Sequence, residues 1–253
     1  MLSRFFKIVI SLLVFISVGY SKENPTLLFY CGITMVKPMQ EIAHIIEKKE
    51  HCKIKIIQGG SKDLYASLAL SKEGDIYLPG SDSYRKKNLK DGYLKDAQYI
   101  GFNQAAIFVQ KGNPKHIKTI DSLVDENIAT IICNPKSGSI GKMTKSILIK
   151  YKGEEFFEDV FDAAAEIGTD SRNLNKAILN KEADMTINWK ATALWGENAK
   201  GIDIVEIPVQ YAPKKKLVLN LLSFSKYKDI VKSFMKYSGS KEGQAIMKKY
   251  GFL

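Results

Sequence analysis

The chain has 253 residues, and its 38 Lys and Arg against 27 Asp and Glu give a formal charge of +11. Hydrophobic residues at 45% and charged residues at 26% exclude a wholly disordered chain, a collagen-like repeat and a disulfide-dense miniprotein. The basic excess is almost all Lys, because Arg occurs only at positions 4, 85 and 172. Nucleic-acid sites depend on the planar fork of Arg, so we expect a solvated basic surface and no nucleic-acid partner.

Residues 1–21 have the pattern of a secretory signal peptide. Arg4 and Lys7 form a short positive region, and the apolar stretch Ile8–Val18 follows. This stretch is shorter than the roughly 20 residues that a membrane-spanning helix needs. We therefore predict that residues 1–21 are removed and that the mature protein, beginning near Lys22, is periplasmic. An uncleaved membrane anchor is the alternative.

The rest of the chain alternates apolar runs with segments of helical periodicity, as in a parallel sheet covered by helices. Strands are predicted at Thr26–Cys31, Lys53–Gln58, Asp75–Leu78, Ile128–Cys133, Asp184–Asn188 and Ile202–Ile207, with extended segments at Gln98–Gln110 and Leu217–Ser223. Helices are predicted at Met35–Lys49, Lys62–Ser71, residues 139–150, Glu154–Ala164, residues 171–179, Tyr227–Tyr237 and Lys241–Tyr250. The fold class is therefore α/β, with a second α/β unit placed before the C-terminal helices.

Four loops share one design, in which a strand end is followed by Gly or a hydroxyl residue and then by a helix N-terminus. They begin at Cys31, Gly59, Ser137 and Thr169. In a parallel α/β sheet such loops lie at the carboxyl edge, where ligands bind. Their backbone N–H groups and helix dipoles favour a small anion. The alternative is that the four loops are ordinary connections between strands and helices that bind no ligand.

Catalytic and metal-binding motifs are absent from the sequence. The His residues are His44, His51 and His116, and none lies in the four loops. No G-x-S-x-G elbow, P-loop, HExxH or CxxC pattern occurs. We therefore expect a binding protein that is not an enzyme, with no metal site and no cofactor.

Several segments together resemble one known family. LLFYCGITMVKPMQEIA, IIQGGSKDLYASL and GDIYLPGSDSY resemble the first lobe of the molybdate-binding family of periplasmic solute-binding proteins. IICNPKSGSIGK and NLNKAILNKEADMTINWKATA resemble its second lobe, so the resemblance covers nearly all of residues 26–253. It implies a two-lobe periplasmic binding protein fold (type II) that closes a cleft around a tetrahedral oxyanion, molybdate or tungstate. It also implies delivery to an ABC permease, and a monomer.

The resemblance also implies ligand-binding residues. The family's two loop serines fall at Thr34 and Ser61, and its backbone donors fall near Ile140 and Leu174. Its ligand tyrosine falls at Trp189, which is a departure, because an indole N–H donates but cannot accept.

Four further candidates lie in the same loops. Gly60 precedes Ser61, and the hydroxyl-rich segment with Ser137 and Ser139 is as similar to sulfate-type binders as to molybdate-type ones. Arg172 lies at a helix start, where its side chain could form a bidentate pair with an oxyanion.

We therefore assign residues 22–102 and 213–253 to lobe 1 and residues 103–212 to lobe 2. Hinge closure is then expected to bend the two crossovers near Gly101–Asn103 and Val209–Pro213. Two alternatives stay open. The same fold could bind sulfate, a phosphonate, or a small organic or phosphorylated acid held by Arg172 and Lys136, or it could belong to a surface or adhesion-type antigen.

Overall fold

A computed structural model of the chain describes residues 24–252. The predicted signal peptide at residues 1–21 lies outside the described residues. The strands are β1 (Thr26–Gly32), β2 (Lys53–Gly59), β3 (Ile76–Leu78), β4 (Leu94–Asn103), β5 (Ala105–Gln110), β6 (Ile131–Cys133), β7 (Glu166–Gly168), β8 (Met185–Trp189), β9 (Ile202–Val205) and β10 (Lys215–Leu222). The helices are α1 (Val36–Glu50), α2 (Ser61–Ser71), α3 (Asp82–Asn88), α4 (Ser139–Lys152), α5 (Glu154–Ala163), α6 (Ser171–Leu179), α7 (Gly196–Gly201), α8 (Lys228–Gly239) and α9 (Lys241–Lys249).

The first lobe is built on a five-stranded sheet in the order β2-β1-β3-β10-β4. Strand β1 runs parallel to β2 and β3, whereas β10 runs antiparallel to β3 and β4. Helix α1 buries Met39, Ile42 and Ile46 in the core of this lobe, because they recur along one helical face. Gly32 pairs with Gly59 where β1 and β2 end, so the loops that follow both strands begin at one edge of the sheet.

The second lobe contains the sheet β8-β5-β9 and the parallel pair β6-β7. A single bridge between Thr130 and Met185 connects the segment before β6 with β8. One hydrophobic core here draws on residues between Ala105 and Ala212 and on no others. The loops after β6 and β7 lead into α4 and α6, as the pattern of strand, Gly or hydroxyl residue and helix predicts.

Two connections join the lobes. Strand β4 ends at Asn103 in the first sheet, and β5 begins at Ala105 in the second. The chain returns between β9, which ends at Val205, and β10, which begins at Lys215. The predicted crossover segments lie in or beside these connections, and the α/β two-lobe fold is confirmed.

Three local features differ from the sequence-based expectations or extend them. Strand β7 was not predicted, because two of its three residues are exposed and the third is glycine, which leaves no apolar run to recognise. The residues after Trp189, where the sequence also predicts the start of a helix, form a short 3-10 helix at Lys190–Leu194. Cys31, Cys52 and Cys133 are free and buried, as small hydrophobic residues would be. Within residues 24–252, no helix is long and apolar enough to cross a membrane.

Candidate functional site

The four predicted loops meet around one cavity between the lobes, which we call the small cavity. Its volume is about 20 Å³, and its lining residues are Gly32, Ile33, Thr34, Gly59, Gly60, Ser61, Gly80, Gly138, Ser139, Ile140, Asp170 and Ser171. A cavity must measure roughly 10–15 Å³ to hold one water molecule, so the small cavity exceeds that minimum only slightly. Sites for organic ligands typically measure roughly 300–1,000 Å³, which is far larger than the small cavity.

Helix N-termini face the small cavity from both lobes. Helices α2, α4 and α6 begin at Ser61, Ser139 and Ser171, and a 3-10 turn starting at Ile33 leads into α1. The first backbone N–H groups of a helix have no acceptor within the helix, and the helix dipole makes this end positive. Four such ends around one cavity create a site for an anion.

Ser61 presents its hydroxyl group to the small cavity. The sequence predicts that Ser61 caps α2, but Gly60 occupies the N-cap position and Ser61 is the first helical residue. Its Oγ instead accepts a hydrogen bond from the Gly80 N–H at 2.9 Å. Because that bond uses a lone pair of the oxygen, the Ser61 hydroxyl proton is left to donate to a ligand.

Ser139 repeats this arrangement in the second lobe. The Trp189 indole N–H donates to Ser139 Oγ at 3.2 Å, and the Trp189 side chain is 1% exposed. Trp189 does not line the small cavity. Its N–H holds Ser139, which again leaves the serine proton to donate.

The remaining polar side chains of the small cavity are those of Thr34, Asp170 and Ser171. Thr34 Oγ1 lies 2.8 Å from the Met35 thioether sulfur, a weak acceptor that a ligand oxygen would replace. Asp170 caps α6, and its Oδ1 accepts from the N–H groups of Arg172 and Asn173. The lining residues include no Lys, Arg or His, and Asp170 is the one charged side chain among them.

Four of the sequence-predicted residues do not line the small cavity. Trp189 lies behind Ser139, as described above. Ser137 Oγ donates within the loops, to the carbonyls of Asn134 and Thr169. The Leu174 N–H is taken up by the carbonyl of Asp170 inside α6, and Arg172 is exposed and lines a separate surface groove. The structure thus brings together Thr34, Gly60, Ser61, Ser139 and Ile140, but not Ser137, Leu174, Trp189 and Arg172.

Sequence reasoning missed Gly80, which touches both lobes. Its N–H donates to Ser61 Oγ, and its carbonyl accepts from Asn103 Nδ2 at 3.1 Å. A methyl group at Gly80 would lie 2.4 Å from Ser139 Oγ, in the opposite lobe. The sequence feature that could have indicated Gly80 is the dipeptide Pro79-Gly80 at the end of a buried strand. This dipeptide is equally typical of an ordinary turn. Ser171 was also missed, although it lies in one of the four predicted loops.

A second cavity, which we call the adjoining cavity, shares Ser139 with the small one. Its volume is about 160 Å³, and it is lined by Ser81, Ser83, Tyr84, Ser139, Lys142, Met143, Ser146, Trp189 and Lys215. Burial raises the pKa of Tyr84 to about 12. Lys142 lies at the rim with an exposed side chain; partial burial of its ammonium group lowers its pKa, and repulsion from Lys87 and Lys62 lowers it further.

Within residues 24–252, no group of three or more His, Cys, Asp or Glu side chains could hold a metal ion. Apart from the Asp170 carboxylate, the small cavity is built from hydroxyl groups, glycine backbone and helix N-termini. This donor set suits an acceptor-only ligand.

The family model of the bacterial extracellular solute-binding proteins matches residues 27–253. The chain belongs to this family. The family consists of binding proteins rather than enzymes, and its members act outside the cytoplasm. A protein of Haemophilus influenzae described as a binding protein is 22% identical over 234 residues, which are 92% of this chain and 93% of that protein.

Solved structures of solute-binding proteins have the same fold. The sulfate-binding protein SubI of Mycobacterium tuberculosis H37Rv superposes with a TM-score of 0.80 at 17% identity, over 90% of this chain and 86% of that one. The periplasmic molybdate-binding protein of Azotobacter vinelandii superposes with a TM-score of 0.75 at 13% identity, over 90% and 98%. These likenesses confirm the fold of this solute-binding protein.

Proposed function

We propose that this solute-binding protein serves an ABC importer and binds a tetrahedral oxyanion in the small cavity, molybdate or tungstate first. The mature protein would act in the periplasm as a monomer and deliver its ligand to an ABC permease. The volume of about 20 Å³ supports a ligand of few atoms.

The observation that carries this proposal is the matched pair of serines. Ser61 Oγ accepts the Gly80 N–H and Ser139 Oγ accepts the Trp189 N–H, one in each lobe. Each hydroxyl proton is thereby left for a ligand that only accepts hydrogen bonds. A fully ionised oxyanion is such a ligand, and charge-assisted hydrogen bonds of this kind are about twice as strong as neutral ones.

The helix N-termini would supply the positive potential that a dianion requires. No cationic side chain lines the small cavity, so binding would depend on fixed dipoles and uncharged donors. The two similar solved structures are those of a sulfate-binding and a molybdate-binding protein, and both ions are tetrahedral dianions. Sulfate is therefore the runner-up ligand.

The adhesion-type alternative predicts that apolar side chains plug the cleft at the donor positions. Thr34, Ser61 and Ser139 instead keep their hydroxyl groups at the cavity, which supports ligand binding.

Calorimetric titration of the purified exported protein with molybdate, tungstate, sulfate and phosphate tests the proposal. We expect saturable binding of one ion per chain, tightest for molybdate or tungstate, together with a rise in melting temperature. Absence of both heat and thermal stabilisation with every ion would overturn the proposal. Preference for sulfate would keep the mechanism and correct the ligand.

Arg172→Ala is expected to change the affinity for the bound oxyanion by less than about twofold, because an exposed cation outside the cavity is screened by salt. Calorimetry of the variant beside the parent protein measures this. A loss of tenfold or more would show that Arg172 contacts the ligand after all.

Asp170→Asn is expected to strengthen binding of fully ionised dianions by about fivefold, or roughly 1 kcal/mol, because it removes a negative charge from the cavity wall. The amide oxygen still caps α6, so helix stability should hardly change. Asp162→Asn, at an exposed position of α5, is the matched control. Weaker binding in Asp170→Asn would show that the ligand donates a hydrogen bond to Asp170, as a protonated oxyanion does.

A further inference from the structure

Two lysines contact aromatic rings of the opposite lobe. Lys37, in the first lobe, has its Nζ 5.2 Å from the centre of the Trp195 ring in the second lobe. Lys142, in the second lobe, has its Nζ 4.5 Å from the centre of the Tyr84 ring in the first lobe. A cation within about 6 Å of a ring centre is attracted by the negative face of the ring. The two contacts are therefore reciprocal, because each lobe provides one lysine and one ring.

Both lysines stand at the beginning of helices whose N-termini face the small cavity. Lys37 is the second residue of α1, and Lys142 is the fourth residue of α4. The helix dipole disfavours a cation at this end, so the stability of the helices does not explain why lysine occupies these positions. The contact with a ring across the cleft gives each ammonium group a favourable partner.

The ammonium groups of both lysines are free to contact the rings. Within residues 24–252, neither Lys37 nor Lys142 forms an ion pair with an acidic side chain. Lys62 and Lys87 of the first lobe repel Lys142, and attraction to the ring in the same lobe offsets part of that repulsion. The rings themselves are held in place by their surroundings, since Trp195 is 8% exposed and Tyr84 is 4% exposed.

We propose that these two contacts are latches that hold the closed lobes together and set how slowly the bound oxyanion leaves. Opening of the cleft would separate each ammonium group from its ring, so the contacts favour the closed form alone. Lys37 and Lys142 would act without touching the ligand, because neither lines the small cavity. This inference rests on the proposed function, since the rate concerned is the release of the oxyanion from the small cavity.

Stopped-flow fluorescence with molybdate and with sulfate tests this inference. Trp occurs in the sequence only at positions 189 and 195, behind Ser139 and under Lys37, so its fluorescence should follow closure. We expect Lys37→Met and Lys142→Met each to raise the release rate about two- to fivefold, and the double variant about tenfold, because separate contacts add. At about 0.15 M salt the capture rate should change by less than about twofold, since long-range attraction is then largely screened.

Variants of Tyr84 distinguish a latch from a simple loss of charge. Tyr84→Leu keeps every charge and removes the ring face, so it should raise the release rate as much as Lys142→Met does. Combining it with Lys142→Met should produce little further increase. Tyr84→Phe keeps the ring, and the Tyr84 hydroxyl has no hydrogen-bond partner among the described residues. Its release rate should therefore stay within about twofold of that of the parent protein.

Lys145→Met is the matched control for the lysine variants. Lys145 lies on the same helix as Lys142, and its Nζ lies 4.3 Å from the centre of the Phe157 ring, but both residues belong to the second lobe. We expect it to release the ion at the parental rate.

Two sets of results would contradict the proposals, and they differ. Parental release rates in either Lys37→Met or Lys142→Met, an equal increase in Lys145→Met, or full additivity of Lys142→Met and Tyr84→Leu would overturn this inference. Because the parent protein would still bind the ion, the proposed function would stand. Absence of oxyanion binding by the parent protein would overturn both.

Discussion

Gly80→Ala is expected to weaken oxyanion binding about 100-fold without lowering the melting temperature of the ligand-free protein. The new methyl group would lie 2.4 Å from Ser139 Oγ and 3.1 Å from Ser139 Cβ, in the opposite lobe. Overpacking of this kind costs roughly 1–3 kcal/mol, and the cost falls on the closed form alone. Gly80 does not have a positive φ, so alanine introduces no backbone strain in the open form.

Gly59→Ala is the comparison variant for this prediction. Its methyl group would meet the Leu64 side chain at 3.4 Å, which is a contact inside the first lobe. We expect it to weaken binding less than about tenfold, since no atom of the second lobe is nearby. Equal losses in the two variants would show that closure does not depend on the approach of Gly80 to Ser139. Calorimetry gives the affinities and thermal unfolding gives the stabilities.

Ser139→Ala is expected to weaken oxyanion binding about 10- to 100-fold, because a hydrogen bond to a charged group contributes roughly 1.5–3 kcal/mol. The substitution also leaves the buried Trp189 N–H without its acceptor. A modest fall in melting temperature should therefore accompany the loss of affinity. The same calorimetric titration measures the first effect, and thermal unfolding measures the second.

Ser137→Ala is its matched control, in the same loop and with the same chemical change. The Ser137 hydroxyl donates to backbone carbonyls and does not line the small cavity. We expect its affinity to stay within about threefold of the parent protein, with a loss of stability of about 1 kcal/mol. An affinity loss as large as that of Ser139→Ala would contradict the prediction that Ser139, and not Ser137, contacts the ligand.

Much of the fold follows from local sequence patterns. The apolar run in β1 and the helical spacing of Met39, Ile42 and Ile46 in α1 define these elements without any tertiary information. The four loops were recognisable for the same reason, because glycine and hydroxyl residues stand between a strand and a helix. Strand β7 was not, since its side chains are mostly exposed.

The site was harder to predict because its details depend on contacts across the cleft and on helix phase. Helix α6 begins at Ser171, so the Leu174 N–H is already bonded to the Asp170 carbonyl and cannot reach a ligand. Trp189 occupies the expected position in the chain, but its N–H faces Ser139. The role of Gly80 depends on the distance to a residue 59 positions away, which no local pattern encodes.

No cationic side chain lines the small cavity, so different parts of the protein should determine the affinity for the ligand and the rates of its capture and release. Dipoles enclosed with the ion lie out of reach of dissolved counter-ions, so added salt should leave the dissociation constant for an inorganic oxyanion almost unchanged. The Lys-rich exterior acts at long range, where ionic screening operates over roughly 8–10 Å. Salt should therefore slow capture and release by the same factor. The basic surface would set how quickly the protein exchanges its ligand, while the neutral interior would set how firmly the ligand is held.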